Sequence, residues 1–322
     1  MITRRQFTHA ALAGLAMPSF AMAAPYTSQT VKVIVPTSPG PGIDLLARFF
    51  AAYMSKQWNS PVVAENKAGS GGRIATDFVA KAPADGTVIM LTTSAHFTYP
   101  FLVANLSFDP VNDFAPVAQF ILGGFAVVVA ANSPFKTIHD LLAEAKRNPG
   151  TINYGSAGVG SPTHMAGAQM GQLAGINIVH VPYKDASQVI VDTVNGTLQM
   201  GMAGTSTAMS LIKSGKLRAL AVTAPKRVPA LADIPTLDES GLRGYDVTSP
   251  ILALTRAGTP TATISELSRI MLEAANTPEF LEMAARLGYV MDLQDFAKVR
   301  ANMPGQFAKW KRLVEVSGAK PE

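Results

Sequence analysis

The 322-residue chain contains no cysteine. That absence excludes disulfides, thiolate metal sites and a cysteine nucleophile together. Its histidines are few, and His96, His139, His164 and His180 show no metal-ligand spacing; the H-E-x-x-H sequence does not occur. Neither the Walker loop G-x-x-x-x-G-K nor the dinucleotide fingerprint G-x-G-x-x-G fits any glycine loop, so no cofactor and no metal are expected. Ser156 lies in Gly155-Ser156-Ala157-Gly158, which is not the G-x-S-x-G nucleophile elbow. Long apolar runs are missing as well. The longest early one, residues 10–20, is too short to span a bilayer, and no later segment has the length free of charge. Charged residues make up only 15% of the chain and the basic ones are dispersed, which leaves nucleic-acid binding unsupported.

What is present is a hydrophobic fraction of 48%, ample for a large core and for two lobes rather than one. Thr3-Arg4-Arg5-Gln6-Phe7 resembles a twin-arginine export signal, and Ala21-Met22-Ala23 offers small residues for cleavage before Ala24. Residues 1–23 therefore read as a signal peptide of a soluble, exported protein. No cysteine follows the apolar run, so a lipid anchor is excluded. Cleavage would remove Arg4 and Arg5 and no acid, turning 27 basic against 22 acidic residues into 25 against 22, a net charge of +3.

The mature chain is organised around its first unit. Val31-Lys32-Val33-Ile34-Val35 reads as a buried strand, residues 36–43 as a loop of Pro, Gly, Ser and Thr, and Asp44 as the N-cap of a helix carrying Leu45, Leu46, Phe49, Phe50 and Tyr53. Such a unit aims free N–H groups and the positive end of a helix dipole at one point, which suits an anion. Residues 61–66 and 87–92 read as further strands, the first followed by the glycine loop Lys67-Ala68-Gly69-Ser70-Gly71-Gly72-Arg73 and a helix to Ala80. Alternating strands and helices predict parallel sheets with a ligand crevice at the carboxyl ends of the strands.

The opening theme returns later. Residues 125–131 read as the first strand of a second lobe, and residues 138–145 as an amphipathic helix stopped by Pro149-Gly150. Residues 151–155 read as a strand, 156–163 as a loop and 164–173 as a helix closed by Gly175. Residues 176–181 then suggest a strand, 185–195 a helix, 198–202 a strand, and 217–223 another. Residues 247–254 read as a strand returning to the first lobe, Thr263-Ile264-Ser265-Glu266 as a capping box, and Phe307, Trp310, Leu313 and Val314 as a terminal helix face. Lobe 1 is thus expected over 24–124 plus 250–322 and lobe 2 over 125–249. Two glycine-and-hydroxyl loops, one per lobe, are the arrangement expected of a binding protein whose cleft holds a ligand with one or two carboxylates. His164 is expected to position the second loop, and Lys184 to be solvated.

In order, these segments resemble the Bug-type solute-binding proteins of tripartite tricarboxylate transporters. The matching stretches include Ile34-Val35-Pro36 with Asp44-Leu45-Leu46-Ala47-Arg48, Val63-Ala64-Glu65-Asn66-Lys67-Ala68-Gly69-Ser70-Gly71-Gly72, and Ala82-Pro83-Ala84-Asp85-Gly86. Asn153-Tyr154-Gly155-Ser156-Ala157-Gly158, Thr163-His164-Met165-Ala166-Gly167, His180-Val181-Pro182-Tyr183-Lys184 and Gly215-Lys216-Leu217-Arg218-Ala219-Leu220-Ala221-Val222-Thr223 follow. The resemblance implies a two-lobed α/β Venus-flytrap fold, each lobe a mainly parallel sheet flanked by helices. It further implies a monomeric periplasmic receptor, without chemistry of its own, that hands a small carboxylated solute to membrane permease subunits. Carried over, Ser38, Gly40, Pro41, Gly42 and Asp44 would form a first-lobe clamp with Ser94 nearby, faced by Ser156, Gly160, Ser161 and Thr163.

Two departures bear on the ligand. Pro41 stands where the family usually has a second glycine and deletes a backbone donor. Ala203, in Met202-Ala203-Gly204, stands where the family often has an acid. The expected ligand is therefore less polar than an amino acid, an aromatic or aliphatic monocarboxylate. The competing readings are an exported serine hydrolase using Ser156 or Ser161 with His164, and a sensor-only co-receptor.

Overall fold

A computed structural model describes residues 29–40, 42–184 and 186–321. The export signal expected over 1–23 and Pro41 lie outside these described residues.

The chain opens with three parallel strands, each feeding a helix. β1 (Val31–Val35) leads to α1 (Ile43–Trp58), β2 (Val62–Asn66) to a 3-10 turn at Ser70–Gly72 and α2 (Arg73–Ala80), and β3 (Val88–Thr92) to α3 (Ala95–Leu102). β1 is flanked in register by β2 and β3. The β-branched run of β1 is buried on both faces, as a central parallel strand requires. α1 buries Leu46, Ala47, Phe50, Met54 and Trp58, the i, i+4 stripe of a helix packed on a sheet. Phe50 sits 4.5 Å from the Phe120 ring and 5.2 Å from that of Phe280. Full burial of one such ring contributes about 1.5–3 kcal/mol.

β4 (Phe114–Gly123) completes the first pass through this lobe, and after Gly124 the chain enters the second. There β5 (Phe125–Ala130), α4 (Ile138–Arg147), β6 (Asn153–Ser156), α5 (Pro162–Ala174), β7 (Val179–Pro182), α6 (Ala186–Val194), β8 (Met200–Gly204), α7 (Thr205–Lys213) and β9 (Leu217–Val222) follow. The chain then returns through β10 (Ser249–Arg256), α8 (Thr261–Ala275), α9 (Pro278–Arg286), β11 (Val290–Asp295) and α10 (Phe296–Ser317). Among the described residues the strands form two sheets, ordered β11-β4-β10-β3-β1-β2 and β7-β6-β8-β5-β9.

The two-lobed α/β architecture is the expected one, with more mixed pairing than strand-helix alternation implies. β10 runs antiparallel to β3 and β4, β11 antiparallel to β4, and β5 antiparallel to β8 and β9. The reason is topological. β4 leaves the first sheet toward the second lobe and β10 returns from it, so the two lie side by side in opposite directions. Their hinge ends are tied together: Thr223 Oγ1 accepts from Phe125 N–H at 2.9 Å and donates to Val247 O at 2.8 Å.

Several local expectations shift. Asp44 is not the N-cap of α1; Gly42 holds that place at φ 78°, and Asp44 lies in the first turn. The capping box at Thr263 does not form, because α8 already starts at Thr261 behind Pro260. The working capping box is at Thr137 and Asp140, opening α4. The strand expected from residue 176 begins at Val179, and the return strand at Ser249 rather than 247. Residues 95–124 give no periodic signal, yet hold α3 and β4. α3 is apolar nearly all round and contains Pro100, and β4 is buried through its first eight positions, so neither shows alternation.

Candidate functional site

The carboxyl ends of β1, β2 and β3 deliver three helix N-termini to one edge of the first sheet. None is closed by a side-chain cap: α1 follows Gly42, α2 follows Gly72, and α3 follows Ser94, whose hydroxyl is bonded to Ser249 Oγ at 2.8 Å instead. Uncapped first turns keep N–H groups and partial positive charge free for an anion. The loops converge. A Cβ on Gly72 would meet Tyr99 Oη at 2.9 Å and Pro36 Cβ at 3.1 Å, and Tyr99 donates to Gly71 O at 2.9 Å.

Asp44 works on the loop itself. Its buried carboxylate accepts from Gly40 N–H at 3.1 Å, Arg48 Nε at 3.0 Å and Asn66 Nδ2 at 2.8 Å, while Asn66 also donates to Thr37 O at 2.9 Å. Burial acts to raise this carboxyl's pKa, and the bonds from Arg48, Asn66 and Gly40 outweigh it and bring it below the ordinary value. Ser38 is exposed and Gly40 half-buried, whereas Gly42 is buried with Tyr289 Oη 3.1 Å from where its Cβ would be.

The second loop is held from beneath. Ser156 Oγ lies 2.6 Å from His180 Nε2 and donates to Gly158 O at 3.1 Å. Ser161 caps α5 by accepting from His164 N–H, and Thr163 Oγ1 accepts from Ala157 N–H at 3.0 Å. Gly160 N–H donates to His164 Nδ1 at 3.2 Å, so His164 positions the loop, as expected. The imidazoles of His164 and His180 stack at 3.8 Å and 10°. Burial lowers both pKa values, and with the neighbouring His164 it brings His180 down to about 4.

This is poor geometry for a serine nucleophile. Ser156 contacts His180, not His164, and Ser161 is committed to its helix. With the Ser156 proton given to Gly158 O, Nε2–H of His180 must donate to the hydroxyl rather than accept from it. No carboxylate among the described residues bonds either ring to orient it as a triad requires. Nor do three or more metal-ligating side chains cluster among the described residues.

Between the lobes lies a cleft of about 420 Å³. Its first-lobe wall includes Ser70, Gly71, Arg73, Thr98, Tyr99 and Leu102, and its second-lobe wall Ala157, Val159, Gly160 and Ser161, with Lys320 at the end of the chain. At Gly160 the lobes approach tightly: at φ +73°, a Cβ there would stand 2.7 Å from Leu102 Cδ1. Arg73 and Lys320 are the charged groups of the lining, and neither forms an ion pair among the described residues.

Of the residues singled out from sequence, Gly160 and Ser161 line this cleft. Ser156 and Thr163 brace the loop behind them, and Gly40, Gly42 and Asp44 shape the first-lobe loop. Ser94 is buried against Ser249, and Ala203 is buried in β8 opposite Ala126. No hydrogen bond or ion pair among the described residues joins the first loop to the second. Sequence reasoning missed Arg73, Thr98, Tyr99, Leu102 and Lys320. Only Arg73 had a signal, a cation directly after a glycine loop.

A family model described as the tripartite tricarboxylate transporter family receptor matches residues 46–319. The UPF0065 protein in the tcbD-tcbE intergenic region of Pseudomonas sp. strain P51 is 31% identical over 291 residues, 90% of this chain and 86% of that one. R. palustris Rpa4515, solved with adipate, superposes with a TM-score of 0.82 at 27% identity, covering 91% of this chain and 98% of that one. The periplasmic binding protein BugD gives a TM-score of 0.79 at 29% identity, covering 91% and 99%. This chain belongs to the tripartite tricarboxylate transporter receptor family, the family of the Bug proteins.

Proposed function

We propose that the chain is a periplasmic receptor that captures a small carboxylate with an apolar body, closes on it, and hands it to the permease of a tripartite tricarboxylate-type transporter. Export by the twin-arginine route and action as a monomer belong to the same reading. The observation that carries it is the lining of the cleft, which has Arg73 and Lys320 but no carboxylate. Hydroxyls of Ser70, Thr98 and Ser161 stand among apolar Leu102, Val103 and Val159. One charged end and a hydrocarbon body match that wall, and the uncapped N-termini of α2 and α3, whose first residues Arg73 and Ala95 line the cleft, add donors for the charged end. Closure would exclude water and strengthen each of these bonds.

A second reading, a dicarboxylate, is favoured by the presence of two cations and by the adipate held in the relative from R. palustris. Calorimetric titration of the mature protein with aromatic acids, aliphatic monocarboxylates, dicarboxylates and amino acids separates the two. Monocarboxylates are expected to bind, with Arg73→Ala weakening them by about tenfold or more. Tight binding of aspartate or glutamate alone would overturn the reading. Native mass spectrometry of protein taken from its own periplasm would identify a carried solute directly. Sustained serine-dependent hydrolysis of simple esters would instead support the hydrolase alternative.

A further inference from the structure

An apolar hollow of the first lobe lies far from the cleft. β10 starts at Ser249, bonded to Ser94 beside the solute loops, and runs to Arg256, paired with Phe114. Seven residue steps along a strand are roughly 23 Å. At that far end Phe114, Ile264, Met303, Pro304 and Phe307 wall a pocket of about 490 Å³. Pro304 sits inside α10, the helix that forms one side, where it removes a helical N–H donor.

The wall is backed by packed rings and its side-chain charge is of one sign. Phe114 and Phe307 lean on buried His96, at 5.0 and 6.2 Å between ring centroids, and Phe307 stands edge-on to Phe97 at 5.1 Å. Burial brings His96 down to about 4, so this backing is uncharged at neutral pH. The one charged side chain of the lining is Arg300, which has no ion-pair or hydrogen-bond partner among the described residues. Thr261, the first residue of α8, also lines the pocket, and α8 opens behind Pro260 with no side-chain cap and no acid in its first turn. A hydrocarbon-walled hollow whose electrostatic features are a free guanidinium and an uncapped helix start favours one class of guest.

We infer that this pocket is a second small-molecule site, separate from the solute cleft, for an amphipathic monoanion: a carboxylate head on a linear or aromatic hydrocarbon body. The head pairs with Arg300 and the body lies against Phe114, Met303 and Phe307. Its occupancy does not depend on what the interlobe cleft binds.

The test uses the mature protein with methyl-labelled methionine, the Met303 signal being assigned by Met303→Leu. Octanoate, 1-octanol and octylammonium are titrated in turn. Octanoate is expected to shift the Met303 signal saturably, with binding about tenfold weaker for 1-octanol and for Arg300→Gln. Val111→Trp, a change at an exposed residue of the pocket mouth, is expected to abolish the shift, and Arg73→Ala in the cleft to leave it unchanged. No saturable shift with octanoate would overturn the inference. So would equal affinity for all three probes, or a shift abolished by Arg73→Ala and kept in Val111→Trp. Arg300→Gln keeps the test decisive if Val111→Trp fails to fold.

Discussion

Asp44 shows how one buried carboxylate can hold a glycine loop in shape. It gathers a backbone N–H, a guanidinium and a carboxamide from 22 residues away in sequence, and so joins the first loop to the end of β2. Replacing Asp44 with Ala leaves these donors facing a cavity. The expected cost is about 2 kcal/mol in urea denaturation, with weaker solute binding as the loop loosens. Unchanged stability would mean that water takes over all three bonds. His180 acts on the other loop, and its effect is legible in pH. Its folded pKa, about 4, lies below the ordinary 6.5, so the unfolded chain binds the extra proton first. Its contribution to stability is whole above pH 6.5 and is lost as pH falls through about 4. His96, brought down to about 4 by burial, adds a loss of the same sign. Melting temperature is therefore expected to fall across that window, and less steeply for His180→Gln, which keeps a partner for Ser156. Identical profiles for the two proteins would remove His180 from the account.

At the scale of elements, the turn from β6 into α5 carries a tight contact between the lobes. Gly160 needs its left-handed φ and has Leu102 where a side chain would go. Gly160→Ala should cost about 1 kcal/mol from backbone conformation and, in addition, push the lobes apart at the cleft. Adding Leu102→Ala is expected to recover solute affinity, since it removes the clash, but not the stability lost to φ. Recovery of both by the second change would refute the division. The same scale explains what the sequence made legible. Val31–Val35 with its helix, and the Gly155-to-Gly175 unit, announce themselves because a β-branched run, a glycine loop and a helical period follow one another. β4, by contrast, is buried on both faces and interrupted by Pro116 and Gln119, so its pattern resembles neither a strand nor a helix. Glycine loops were visible as anion-binding candidates, but Tyr99, Leu102 and Lys320 reach the cleft from a helix with no amphipathic signal and from the chain end. Their role depends on how the lobes meet, which no local spacing encodes.

For the molecule as a whole, the proposed receptor role calls for an equilibrium between lobe arrangements, and Thr205 stands where it can bias one. It is the first residue of α7 in the second lobe, fully buried, with its hydroxyl directed to Gly124 O at 3.2 Å and Gly288 O at 3.0 Å. Gly124 follows the end of β4 at one chain crossing, and Gly288 belongs to the α9–β11 turn of the first lobe. Across the same seam a Cβ on Gly288 would meet Met209 Cε at 2.6 Å, so the two lobes are in van der Waals contact here. Thr205→Val preserves shape and removes one buried donor, leaving the Gly288 carbonyl without it, at a cost of about 1–2 kcal/mol. If the bond exists only in this arrangement of lobes, that cost falls on this arrangement alone and changes its population about five- to thirty-fold. The expected result is a larger radius of gyration in solution scattering without solute, and solute affinity reduced by the same factor. A lower melting temperature with unchanged affinity and radius would instead place Thr205 in the stability of the fold, with no part in lobe closure.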